Sequence, residues 1–133
     1  MIPRALVMTA AAVLFAGVAD AASPVGRWVA VEIGGLPVAR GVETTLELDG
    51  AGRASGNGGC NRYGGEVRLG DGSIGFGPTA ATEMACPRPQ MDQENRYFQA
   101  LERAAGWRID GDRLMLVDAR GGAVVILLRQ RRG

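Results

Sequence analysis

Apolar and polar positions alternate with a period near two over most of the chain, and with a helical period over one stretch only. Trp28-Val29-Ala30-Val31-Glu32-Ile33 is rich in strand formers and stops at Gly34-Gly35. Thr44 to Leu48 alternates up to Asp49-Gly50, a hairpin signal, with Arg53 to Gly56 returning as its partner. Tyr63 to Leu69 predicts a further strand, turned by Gly70-Asp71-Gly72 into Ser73 to Phe76. From Pro89 to Ala105 glycine is absent, and Met91, Tyr97, Phe98, Leu101 and Ala105 fall close to one helical face. Glu94, Arg96, Glu102 and Arg103 fall mostly outside that stripe. Pro89 suits a first turn, and Gly106 reads as the C-cap. β patterning then returns at Trp107 to Ile109, turns at Asp110-Gly111-Asp112 and resumes at Leu114 to Val117. Ala123 to Leu128 is a continuous apolar run, as expected of a strand covered on both faces or lying at the core.

Short strands, tight turns and one helix predict a mostly β (α+β) domain. Short connections favour antiparallel pairing, so the expected architecture is a small antiparallel curved sheet or partial barrel with one α-helix packed on it.

The N-terminus has a different pattern. Met1 to Arg4 is a short positive start, Ala5 to Val18 an uncharged apolar run, and Ala19-Asp20-Ala21 a small-residue cleavage site. The run of about 14 residues is shorter than the roughly 20 of a spanning helix. Residues 1–21 are therefore expected to be a signal peptide, and 22–133 one domain, exported to the periplasm or secreted, with no stable membrane insertion after cleavage.

The chain of 133 residues carries a formal net charge of +1, so no net field argues for nucleic acid. It contains no histidine and no lysine. Without histidine a Ser-His-Asp or Cys-His device cannot be built, and two cysteines alone do not make an ordinary zinc site. Without lysine there is no Schiff base and no P-loop cation. No cofactor and no metal are expected, and nothing points beyond a monomer. A copper reading of Met84 and Met91 near a cysteine is outweighed by methionine's usual role as core filler. Glu83 and Glu94 flank the helix entrance, where opposed carboxylates would be the surviving enzymatic option. The simpler expectation puts Glu94 near the helix N-terminus, favouring its dipole, and Glu83 on the surface.

Gly56-Asn57-Gly58-Gly59-Cys60-Asn61-Arg62-Tyr63-Gly64-Gly65 poses a separate question. It lacks the Gly-Lys-Ser/Thr of a phosphate loop, and Asn61 stands where a dinucleotide fingerprint needs its third glycine. A reactive thiol at Cys60 would need a depressed pKa, with only Arg62 nearby to supply it. Cys86 is the second cysteine, and an exported chain with an even count usually pairs them. A Cys60–Cys86 disulfide is the favoured reading, beside a buried free pair and a redox pair. In that reading the glycines serve close backbone approach, Asn61 bonds local backbone, and Tyr63 packs its ring with its hydroxyl near water.

Gly59-Cys60-Asn61-Arg62-Tyr63-x-Gly65 resembles the GCNxYxG signature of the META domain family, which includes the HslJ-like heat-shock proteins. Thr82-x-Met84-Ala85-Cys86 resembles that family's TxMAC block, and Glu94-x-x-Tyr97-Phe98-x-Ala100-Leu101 the helix that follows. Gly111-Asp112-x-Leu114-x-Leu116 is similar to its late hairpin, and Trp28 to its opening strand. The resemblance spans nearly all of Val25 to Leu128. It implies a small, mostly β envelope domain associated with heat shock, antibiotic tolerance and, in protozoan relatives, virulence, with no established catalytic activity. The lipidation cysteine of many bacterial members is absent here. The expected function is therefore non-enzymatic binding of an envelope partner protein. A small apolar or lipid ligand held near Tyr63, Phe76 and Trp107 is the second reading, and a carboxylate enzyme the third.

Overall fold

The computed structural model describes residues 22–131. Nine strands and one helix follow one another: β1 (Gly26–Ile33), β2 (Leu36–Pro37), β3 (Thr45–Leu48), β4 (Arg53–Asn57), β5 (Arg62–Leu69), β6 (Ile74–Ala81), α1 (Arg88–Arg103), β7 (Gly106–Asp110), β8 (Arg113–Val117) and β9 (Ala123–Arg129). All pairings are antiparallel, in the order β6-β5-β4-β3-β1-β9-β8-β7, with β2 attached to β1 alone. The signal-peptide expectation at 1–21 lies outside the described residues.

The two ends of this sheet meet at one point. Ser73 bridges Gly106, Ile74 N–H donates to Ala105 O at 3.1 Å, and Trp107 N–H donates to Gly72 O at 3.1 Å. The sheet thus curls into a half-barrel. Inside it lie Trp28, Ile33, Leu46, Leu48, Leu114, Leu116, Val125 and Leu127. Helix α1 adds Tyr97, Ala100 and Leu101 to the same core, packing against β9, β1 and β6. Each such Leu contributes about 1.5–3 kcal/mol by leaving water. The turns are closed by short side chains. Asp49 accepts the N–H groups of Ala51 and Arg53, and Asp118 those of Arg120 and Gly122, which holds both carboxyls below their ordinary range.

Sequence patterning located these elements but missed some ends. Gly34 and Gly35 have φ of +60° and +85°, so they turn β1 straight back into β2 instead of merely ending it. β6 runs on to Ala81, through Pro78, because a shift in pairing between Gly65 and Val67 accommodates the proline on an edge strand. Gly106 is not the helix C-cap. Ala104 ends α1 in an extended conformation, and Gly106 opens β7. A Cβ at Gly106 would lie 3.0 Å from Gly72 O, so the glycine serves the closure of the half-barrel. β9 lies at the core, with Val124, Val125 and Leu127 buried, while Leu128 remains 42% exposed.

Candidate functional site

The motif residues converge where the loop before β5 meets helix α1 and the segment between β6 and α1. Cys60 and Cys86 are disulfide-bonded, with Cα atoms 6.0 Å apart. The bond joins a buried loop to the irregular stretch leading into the helix.

Glu94 organises the loop. Its Oε1 accepts the main-chain N–H of Cys60 at 3.0 Å and of Asn61 at 2.6 Å, and its Oε2 accepts the Asn61 side-chain amide at 2.8 Å. The residue is 4% exposed. Glu94 sits in the second turn of α1, near the helix N-terminus as expected, but it points inward onto the main-chain N–H groups of the Cys60 loop. Glu83 remains on the surface as expected. Helical spacing carried the signal for Glu94, because it lies three and four residues before Tyr97 and Phe98, on the apolar stripe itself.

Asn61 completes the clamp. Its Oδ1 accepts the hydroxyl of Thr82 at 2.8 Å and the N–H of Met84 at 2.7 Å, while its Nδ2 also donates to Met84 O at 3.4 Å. The amide thus pairs with both main-chain groups of Met84 as a neighbouring strand would. Arg62 and Thr82 extend this pairing through Thr82 N–H to Arg62 O at 3.0 Å and Arg62 N–H to Thr82 Oγ1 at 3.3 Å. The Arg62 side chain is exposed. Met84 and Ala85 lie at the surface, with Met84 54% exposed.

Two motif glycines allow close approach. A Cβ on Gly59 (φ +142°) would lie 3.0 Å from Gln90 O and 3.3 Å from Glu94 N, so α1 rests directly on this loop. A Cβ on Gly65 would lie 2.7 Å from Pro78 O, where β5 meets the irregularity in β6.

Tyr63 is 5% exposed, and its hydroxyl reaches no water-facing position. It bonds Tyr97 Oη and donates to Thr45 O at 2.8 Å, which corrects the expected solvent-facing hydroxyl. Its ring stands edge-on to Tyr97 and Phe98, with centroids 5.6 Å and 5.4 Å away. Burial pushes the pKa of both phenols above the ordinary tyrosine value. Sequence reading also missed Gln93. It is fully buried, accepts Ala39 N–H at 2.7 Å and donates to Thr44 Oγ1 at 2.8 Å. Thr44 in turn donates to Gly58 O at 2.8 Å. Gln93 and Glu94 thus fasten two separate loops to one helix, and Tyr97 ties that helix to β3 and β5.

Phe76, Phe98 and Leu101 line a cleft of about 140 Å³ between β6 and α1, while Tyr63 fills the adjoining core. Trp107 is half-buried and donates its indole N–H to Gly70 O at 3.0 Å. Among the described residues no three His, Cys, Asp or Glu side chains are grouped as a metal site. Among them, too, no helix is long and apolar enough to cross a membrane.

Comparison with known proteins follows the same geometry. A protein from Burkholderia xenovorans, solved by NMR, is 27% identical with a TM-score of 0.64, over 90% of this chain and 100% of that one. A second NMR structure, 24% identical with a TM-score of 0.61, covers 78% of this chain and 88% of its own, and speaks for the fold alone. No curated protein matches. The family model of the META domain matches residues 22–131, the whole of the half-barrel with its clamp, and the chain belongs to the META domain family.

Proposed function

We propose that this chain is an exported, non-enzymatic envelope protein, periplasmic or secreted, that binds a partner protein in stress or antibiotic tolerance. The fate of the motif's polar groups supports this reading. Both oxygens of Glu94 and both side-chain polar atoms of Asn61 are spent on internal hydrogen bonds. Those bonds fix the main chain of an irregular segment whose Met84 side chain is left 54% exposed. A rigid backbone presenting a flexible, polarisable side chain suits contact with another protein, because little order is lost on binding. An apolar small molecule is the second reading, for which the cleft beside Phe76, about 140 Å³ against the roughly 300–1,000 Å³ of ordinary ligand pockets, gives less support.

The test is a photo-crosslinking residue at position 84 in living cells, with a control at exposed Arg68. A discrete protein adduct at 84 that is absent at 68 and strengthens under heat or antibiotic stress is the expected result. Equal labelling at both positions, or none at 84, overturns partner binding through this segment. Export is tested on the same cells, where the mature chain should start at Ala22 in the periplasmic or culture fraction. A cytoplasmic chain that retains Met1 overturns that part.

A further inference from the structure

A polar cavity of about 290 Å³ lies over β3 and β4, between Arg62 of β5 on one side and Glu43, just ahead of β3, on the other. Neither the clamp nor the core uses it. Small residues make the depression. Ser55 of β4 pairs with Gly64 of β5, which adds no side chain there. A Cβ at Gly56 would collide with Thr45 O, so glycine alone lets β4 approach β3 this closely.

The polar groups already spent decide what the cavity can take. Arg27 and Glu47 line it but neutralise each other at 3.5 Å. Asn57 Oδ1 accepts Gly59 N–H at 2.8 Å, which leaves the NH₂ as its unspent end. Thr45 Oγ1 accepts Asn57 N–H at 2.9 Å, so its own hydrogen is left for another acceptor. Among the described residues neither Arg62 nor Glu43 has an ion-pair partner, and both side chains are exposed. Arg40, exposed in the turn before Glu43, does not line the cavity. One cation, one anion and two neutral donors therefore remain. The strand order β5-β4-β3 sets the strand of Arg62 two spacings from β3, roughly 10 Å.

We propose that this cavity binds a short free peptide, about two or three residues long, with both termini charged. Its carboxylate meets the fork of the Arg62 guanidinium, which suits that group in shape and charge. Its ammonium meets Glu43, and its carbonyls accept from the Asn57 NH₂ and the Thr45 hydroxyl. A ligand that is only an anion would face Glu43 and Glu47, and one that is only a cation would face Arg27 and Arg62. A ligand bearing one charge at each end is matched at both. In a single α-amino acid the two charges flank one carbon, too close together to reach across two strand spacings. An extended dipeptide spans about 7 Å and leaves room for a hydrogen bond at each end. The site uses no side chain of the clamp around Glu94 and Asn61, and it goes beyond the partner contact proposed at Met84.

Titration of the isotope-labelled chain with glycylglycine, followed by the NMR shifts of its main-chain amides, tests this directly. The expected result is a saturable shift at millimolar peptide or below, centred on Thr45, Ser55, Asn57 and Arg62. N-acetylglycylglycine lacks the ammonium and glycylglycinamide the carboxylate, and each should bind about fivefold or more weakly. Arg62→Gln should erase the difference between glycylglycine and glycylglycinamide. Glu43→Gln should erase the difference between glycylglycine and its acetylated form. Both side chains are exposed, so neither change should move the thermal midpoint. The absence of a saturable shift, or one centred elsewhere, overturns the proposal. So do blocked peptides that bind as well as the free one, variants that leave the differences intact, and glucose, a neutral polyol, binding there more tightly than glycylglycine.

Discussion

The side-chain amide of Asn61 lies between the carboxylate of Glu94 and the main chain of Met84, donating to Glu94 Oε2 at 2.8 Å and to Met84 O at 3.4 Å. One small polar group thereby joins a loop, a helix and a surface segment that are far apart in sequence. Its orientation is fixed from the other side as well, since its oxygen already accepts from Thr82 and Met84.

That orientation makes Glu94→Gln a costly change despite its equal size. A glutamine oxygen can still accept the N–H groups of Cys60 and Asn61, but its NH₂ would then face the NH₂ of Asn61. Asn61 cannot flip without losing Thr82 and Met84. The expected loss is about 1–3 kcal/mol, and Glu94→Ala, which strands the same buried donors, should lose at least as much. Urea titration of both variants measures it. A Glu94→Gln protein as stable as the parent would show that the carboxylate's charge and geometry do not hold the loop.

The disulfide has a sequence separation of 26. Closing such a loop constrains the unfolded chain by about 3.5 kcal/mol, a large share of the 5–15 kcal/mol typical of a whole domain. Cys60→Ser with Cys86→Ser should lower stability by roughly that amount, while reductant leaves the double variant's midpoint unmoved. Mass spectrometry of the untreated parent should read about 2 Da below its reduced form. A parent whose midpoint ignores reductant would contradict the energetic role.

Met84→Ala separates display from folding. Asn61 holds the main chain of Met84, and the side chain is 54% exposed. Stability should therefore change by less than about 0.5 kcal/mol. In the same variant, crosslinking from a neighbouring position such as Ala85 should weaken. A large loss of stability would mean that the side chain supports the fold instead of facing a partner.

How far the sequence was legible follows from what each element depends on. Strands such as β1, β8 and β9 depend on local alternation and neighbouring turns, so their positions could be read directly. The partial barrel followed from short antiparallel connections and a lone helix. The closure at Ser73 and Gly106 could not, because it rests on two backbones meeting across the intervening helix α1. The partners of Gln93 and Glu94 were hidden for a related reason, although helical spacing put Glu94 on the apolar stripe. The burial of both side chains depends on loops from other parts of the chain bringing N–H and hydroxyl partners, and a charge on a helix reads as solvated until those partners are known. Tyr63 was misjudged likewise, its hydroxyl partner being 34 residues away on α1.

Gly59→Ala tests the contact between loop and helix. At φ +142° an alanine is strained, and its Cβ would press on Gln90 O at 3.0 Å. A loss of about 1–3 kcal/mol is expected. Gly50→Ala is the control, since its Cβ would meet nothing within 4 Å, and it should be neutral. Equal behaviour of the two variants in thermal melts would remove the close-approach argument.

The Tyr63–Tyr97 pair predicts how the protein fails in alkali. Burial raises both phenol pKa values above the ordinary 10.0, while an unfolded chain would ionise near that value. Above pH 10 the unfolded state therefore binds fewer protons than the folded one, and stability falls as pH rises. Below pH 10 the pair's contribution is fully present. Tyr97→Phe should lose about 1 kcal/mol at neutral pH, through its hydrogen bond to Tyr63, yet show a shallower decline in alkali because one titrating group is gone. Urea midpoints of parent and variant between neutrality and pH 11 measure both effects. Parallel alkaline slopes would place the titration that unfolds the protein somewhere other than this buried pair.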